Sequence, residues 1–224
     1  MDKLFDMLKN SFDGLTRENI IGIQERCFTI AKTLSENYCI ICGDKTFRFA
    51  EVEFYYYKSD KSNKNNFVDT WNRETYPRNK NAGEFFFHYS GVDICFQCYY
   101  DDKEKDNEYG EFGGILIRSL LDGKKILAGP LFCANVILNA SKDCMPTLDR
   151  TDYQQYKLKS TTRCGITSDL HQEKGKELYL CYYATKVNGN ELYWENASER
   201  VSWDKKKRVF RKITRNYKKE RNFK

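Results

Sequence analysis

The chain has 224 residues, 40% of them hydrophobic, 15% aromatic and 31% charged. That length suits one domain with a core rich in Tyr and Phe and is cramped for two, while the charged fraction excludes a membrane protein. The net charge of +6 is asymmetric: residues 205–224 hold 11 of the 38 Lys and Arg but one of the 32 Asp and Glu, which leaves 27 basic against 31 acidic residues before them, a net −4.

In chain order, residues 3–36 read as two helices, with Leu4, Phe5, Met7, Leu8 and Phe12 on the first and Ile20, Ile21, Ile23, Cys27, Ile30, Ala31 and Leu34 on the second. Gly14 separates them, and Thr16 with Asn19 offers capping chemistry for the second. The opening MDKLFDMLKNSFDG is charged throughout and has no signal-type apolar region, so an intracellular protein is expected, cytoplasmic or associated with the nucleoid. Strand patterns follow at 38–43, 47–57, 84–89, 91–99 and 113–120. Between two of them lies a polar stretch, 58–81, anchored by Trp71; a loop of this length in a compact domain usually carries function. Residues 129–138 read as a helix opened by Pro130 at a first-turn position. Strands resume near 160–167, 177–186 and 191–195. Helices followed mostly by strands, without βαβ repetition, describe an α+β domain.

The segment FRFAEVEFYYY, residues 47–57, is the most informative. Strict alternation places Phe47, Phe49, Glu51, Glu53, Tyr55 and Tyr57 on one face and Arg48, Ala50, Val52, Phe54 and Tyr56 on the other. Two carboxylates in an aromatic row face a partner, a cavity or solvent. In a cleft, such a carboxylate is a general base beside a flat, stackable substrate; on an edge strand it is a solvated glutamate. The nine cysteines include two C-x-x-C pairs, Cys39/Cys42 and Cys95/Cys98, with zinc-ribbon spacing. Both pairs sit in strand patterns rather than in the tight turns that zinc knuckles use, so reduced, buried thiols are expected and no metal or cofactor. The basic tail has the character of a polyanion footprint, with Lys205, Lys206, Lys207, Arg208 and Arg211 as candidate phosphate contacts. Val209, Phe210, Ile213 and Tyr217 also have the spacing of a docked amphipathic helix.

Taken in order, the strand-borne motifs resemble the alkyladenine (3-methyladenine) DNA glycosylase family. EVEFYY at 51–56 resembles the strand bearing that family's catalytic Glu and a stacking Tyr two residues on. YPRN at 76–79 resembles its Pro-Arg-Asn, and FFFHYSGVDICFQ at 85–97 its pocket wall. GGILIRS at 113–119, GPLFCANV at 129–136, TTRCGIT at 161–167 and ERVSW at 199–203 follow in the family's order. The resemblance spans residues 38 to about 204.

It implies an α+β domain with a curved, mainly antiparallel sheet and peripheral helices. The divisions are 1–36 for the packed N-terminal helices, 37–204 for the glycosylase-like domain and 205–224 for the tail. It implies a monofunctional hydrolase that needs neither a lysine nucleophile nor a metal. Glu53 would be the general base, Tyr55 and Phe87 the stacking rings, and Asp69, His88, Gln97 and Arg118 further contacts to substrate. Tyr89 and Ser90 would meet DNA. The expected partner is duplex DNA with a damaged base, bound by a monomer away from membranes.

The chain departs from the family at four of these positions. Asp69 stands where a His usually touches the base, and an ionised carboxylate cannot donate. Phe87 lacks the usual Tyr hydroxyl, Gln97 replaces an Asn, and Ser90 takes the place of the Tyr wedge and is too small to hold a base gap open. Arg118 is either a phosphate contact or an ion partner of Glu51 or another carboxylate. Two alternatives follow: a nucleic-acid-binding module of the same fold with altered chemistry, or an N-glycosidic hydrolase for a free nucleoside or nucleotide.

Overall fold

A computed structural model describes residues 3–10, 15, 19–59, 80–100, 110–142, 144–161, 163, 180–194, 200–204 and 209–213. Helix α1 (Lys3–Lys9) buries Leu4 and Leu8, and helix α2 (Ile20–Asn37) buries Ile23, Cys27, Ile30, Ala31 and Leu34 along one stripe. The Asn19 side chain caps α2 by accepting from the Gly22 amide at 2.9 Å. The strands are β1 (Tyr38–Cys42), β2 (Lys45–Ser59), β3 (Phe85–His88), β4 (Gly91–Cys95), β5 (Tyr99–Tyr100), β6 (Gly110–Asp122) and β7 (Lys125–Ala128). After helix α3 (Pro130–Ser141) come β8 (Thr147–Arg150), β9 (Tyr156–Thr161), β10 (Cys181–Val187), β11 (Asn190–Glu191), β12 (Arg200–Asp204) and β13 (Val209–Ile213).

Eleven strands form one antiparallel sheet that curls into a half-barrel, its main path running β11-β10-β2-β6-β4-β3. The α+β expectation therefore holds. The helices cover one face only. Val52, Phe54, Tyr56, Ile115, Ile117, Val92 and Ile94 point from that face into a core shared with α1, α2 and the α3 residues Cys133 and Ile137. Phe54 meets Tyr182 edge-on at 5.6 Å, and the Tyr182 hydroxyl donates to the Gln24 carbonyl at 2.9 Å, which fastens β10 to α2.

Three local readings change. The strand pattern at 91–99 breaks after Cys95, because Phe96 turns into the helix-side core while its amide bonds to the Gly113 carbonyl at 3.0 Å. Strands β7 and β8 were not expected; each is four residues long, too short to show a period. The segment 209–213, with its helix-like spacing, is a strand paired with β12, Asp204 opposite Val209, so β-pairing overrides the sequence period. No helix among the described residues is long and apolar enough to cross a membrane.

The two central strands approach closely at Gly113. A Cβ there would lie 2.3 Å from the Tyr55 carbonyl oxygen and 2.9 Å from the Tyr56 Cα. Neither neighbour is a movable side-chain tip. Gly113→Ala should therefore destabilise the protein by about 2–3 kcal/mol, measured as a lower urea midpoint at unchanged m-value.

Candidate active site

Strict alternation in β2 fails at one point, and the site is built there. Phe49 pairs with Leu120, Glu51 with Ser119 and Val52 with Ile117, so Ala50 is an extra residue on β2 and Arg118 an extra residue on β6. The two bulges compensate, and register resumes beyond them. Phe47 and Phe49 consequently face the helices with Val52, Phe54 and Tyr56. They do not share a face with Glu51 and Glu53, as unbroken alternation would require. The bulges instead put Glu51, Glu53, Arg118 and Ser119 together on the side away from the helices.

Both carboxylates are buried, Glu53 at 0% and Glu51 at 1% exposure. Arg118 lies between them, its Nη1 3.2 Å from Glu53 Oε2 and its Nε 3.5 Å from Glu51 Oε1. The Tyr55 hydroxyl donates to Glu53 Oε2 at 3.0 Å. Glu51 accepts from the Ser119 hydroxyl at 2.8 Å and from the Cys181 thiol at 3.5 Å. Above Tyr55 sits Arg163, its guanidinium 4.7 Å from the ring centroid and its Nη1 donating to the Phe54 carbonyl at 3.3 Å. Burial first, then the adjacent Glu53, holds the Tyr55 phenol well above its ordinary range, so it stays a donor at every physiological pH.

The next strands extend this face. Asp93 on β4 pairs with Leu116, which pairs with Glu53, which pairs with Cys181, so these four side chains stand in one row. In the neighbouring row, Tyr55 and Cys95 are separated by Gly114, which contributes no side chain. His88 and Phe86 belong to the same face and stack at 5.5 Å. The His88 Nδ1 is 2.8 Å from the Ser90 hydroxyl, and its Nε2 is 3.4 Å from Asp93 Oδ2.

Of the residues singled out in the sequence, the structure thus brings Glu53, Tyr55 and Arg118 into direct contact. Arg118 meets both Glu51 and Glu53. Phe87 is not brought to them: it pairs with Val92 and packs on the helix-side core, as strand alternation requires of a neighbour of Phe86 and His88. Gln97 is also elsewhere; its side chain accepts from the Ala82 amide at 3.3 Å and donates to Asn81 at 3.4 Å, bracing the entry to β3. Tyr89 and Ser90 form the exposed β3–β4 turn, with Tyr89 80% exposed. Asp69, Lys205, Lys206, Lys207 and Arg208 lie outside the described residues, and Arg211 is described only as a backbone position in β13.

The C-x-x-C cysteines are placed as packed thiols. Cys39 and Cys42 are buried on β1, Cys95 ends β4 and Cys98 follows it. Burial raises the Cys39, Cys42 and Cys98 thiols above their usual range, which keeps them protonated. Among the described residues no three His, Cys, Asp or Glu side chains are grouped to hold a metal.

Sequence reasoning assigned no role to Asp93, Ser119, Arg163 or Cys181. For Asp93 the signal was present: an acid inside the apolar strand GVDIC is the same anomaly as Glu53 in β2. Arg163 gives none, because its place over Tyr55 depends on tertiary packing. No known protein family matches the chain, and no curated protein is significantly similar to it.

Two predictions test this geometry. Arg118→Met leaves two buried carboxylates without their shared cation and should cost about 3–5 kcal/mol of stability, read from urea unfolding. The second concerns alkaline pH. The folded protein keeps the Tyr55 proton that the unfolded chain releases near pH 10, and Tyr156 and Tyr182, raised mainly by burial, behave likewise. Their contribution is therefore intact below pH 10 and is lost as pH rises beyond it. Unfolding midpoints should fall above about pH 10, less steeply in Tyr55→Phe.

Proposed function

We propose that the chain hydrolyses the N-glycosidic bond of a modified purine extruded from DNA. Glu53 is the general base that takes a proton from the attacking water. The observation that carries this reading is the Glu53 carboxylate at the centre of the sheet, fully buried and oriented by Arg118 and the Tyr55 hydroxyl. A carboxylate held this way is placed to offset the positive charge that develops on the sugar as the bond to the base breaks. Glu51 lies on the other side of Arg118 and holds that guanidinium in place.

The environment also suits a flat cationic base. The Tyr55 ring already accommodates one planar cation, the Arg163 guanidinium, and a positively charged alkylpurine makes the same electrostatic fit to an aromatic face. The exposed Tyr89 at the β3–β4 turn supplies an aromatic ring for contact with the duplex, where Ser90 is too small. Because Glu53 is sealed from solvent, substrate reaches it only when this face opens. Extrusion of a base costs a few kcal/mol, least for damaged or mismatched pairs, which favours lesions over normal nucleotides.

A second reading draws on the same burial. With Glu53 Oε2 already engaged by two donors and a Ser at the wedge position, the fold also suits a nucleic-acid-binding module that uses its basic tail. The test separates the two. Purified protein incubated with duplexes carrying 3-methyladenine, hypoxanthine or ethenoadenine should produce alkali-labile abasic sites, and Glu53→Gln should lower the rate at least about 1,000-fold at a temperature where circular dichroism shows the variant folded. No abasic sites from any duplex, together with binding whose salt slope is reduced by neutralising residues 205–208, would establish the binding module instead.

A further inference from the structure

A cavity of about 610 Å³ lies on the helix side of the sheet, between α2, the start of α1 and the end of β8. It is separate from the Glu53 face, and its volume is that of a small-molecule site. Glu36 in its lining decides what it takes. That residue is 6% exposed, yet among the described residues no cation meets its carboxylate. Oε1 accepts from the Tyr156 amide at 3.3 Å, and Oε2 has no partner among the described residues. The Arg48 guanidinium takes the Glu36 backbone carbonyl at 3.1 Å rather than the side chain. A carboxylate enclosed in this way is costly until a cation or a strong donor reaches it. The last turn of α2 has no basic residue, so the negative pole of the helix adds to the same demand.

The opposite charge stands one helical turn away. Lys32 lines the cavity with Lys3 and Arg150; all three are exposed, and neither lysine has an ion pair among the described residues. One turn farther along α2 is Phe28, 40% exposed, its ring 5.9 Å from that of Tyr182. Phe28, Lys32 and Glu36 thus form one row of the helix, which offers a ring, a cation and a carboxylate at intervals of about 6 Å. The row is fixed before any ligand arrives. The Gln154 amide donates to the Glu36 carbonyl at 3.0 Å and the Thr151 amide to the Asn37 carbonyl at 2.9 Å, which pins the chain after β8 to the end of α2.

We infer that this cavity is a binding site for a free α-amino acid with an aromatic or large apolar side chain. The ammonium of the ligand meets Glu36, its carboxylate meets Lys32 in the positive field of Lys3 and Arg150, and its side chain lies against Phe28. An α-amino acid carries those three groups on a single carbon, and its two charges are answered in pairs. An anion without the ammonium leaves Glu36 unmet and is repelled by it. A cation without the carboxylate meets Glu36 but stands among three positive side chains with nothing to offset them. A site with a buried, unpaired acceptor discriminates strongly against a ligand that lacks the donor.

The experiment is calorimetric titration of the full chain with L-phenylalanine, with hydrocinnamate, which lacks the ammonium, and with phenethylamine, which lacks the carboxylate. L-phenylalanine should bind at least about tenfold more tightly than either. Glu36→Gln keeps an oxygen for the Tyr156 amide and removes the charge; it should weaken L-phenylalanine at least about tenfold and leave hydrocinnamate bound no more weakly than before. No binding of L-phenylalanine, an equal affinity for either analogue in the wild-type protein, or an L-phenylalanine affinity untouched by Glu36→Gln would each overturn the inference. The comparison of the three ligands in the wild-type protein decides the matter even if the variant fails to fold. Base release from DNA is a separate question, since Glu36 and Glu53 lie on opposite sides of the sheet.

Discussion

The structure depends on one guanidinium shared by two carboxylates inside a sheet. Glu51, Arg118 and Glu53 all lie at positions of 7% exposure or less. Removing three charges from water is expensive, and their mutual attraction in the interior repays that only with good geometry and further hydrogen bonds. The further bonds are there: Ser119 and Cys181 serve Glu51, and Tyr55 serves Glu53. An apolar set of the same volume would hold the strands together at least as well. Stability alone does not account for the arrangement; the proposed role of Glu53 as a dry, oriented carboxylate would.

The rest of the fold divides the work between two faces. On one, three helices and the alternate residues of β2, β4 and β6 make a continuous apolar core, from Leu4 and Leu8 through Phe54 to Ile137. The opposite face carries the ionic cluster and the Asp93–His88 contact beside a smaller apolar cluster of Tyr57, Cys95, Cys98 and Phe112. The compensating bulges are the joint between these roles, since they turn Arg118 and Ser119 to the same side as Glu51.

Much of this was legible in the sequence, and the limits have physical causes. The two N-terminal helices, the cap at Asn19, the helix after Pro130 and the long strands at the centre follow from period and capping chemistry, which are local. Glu53, Tyr55 and Arg118 were singled out through the resemblance of their strands to a family's motifs, and their side chains are in contact here. The face assignment of Phe47 and Phe49 was not, because a bulge shifts alternation by one residue and leaves no compositional mark. Phe87 was misplaced for the opposite reason: alternation in β3 holds strictly, and it turns that ring toward the helices while Phe86 and His88 look the other way. The strand at 209–213 shows tertiary pairing prevailing over a helical period. Arg163 reaches Tyr55 from far along the chain, and no short-range pattern records such a contact.

The compensated bulges also bear on how this chain tolerates length changes. Removing Ala50 would leave alternation in β2 unbroken, with Phe47, Phe49, Val52 and Phe54 still on one side, but the extra residue of β6 would lose its counterpart. β6 alone would then have to bulge at Arg118, the residue that both acids hold. The one-residue excess on each strand is thus a matched pair, and a length change in either strand is felt first at the guanidinium.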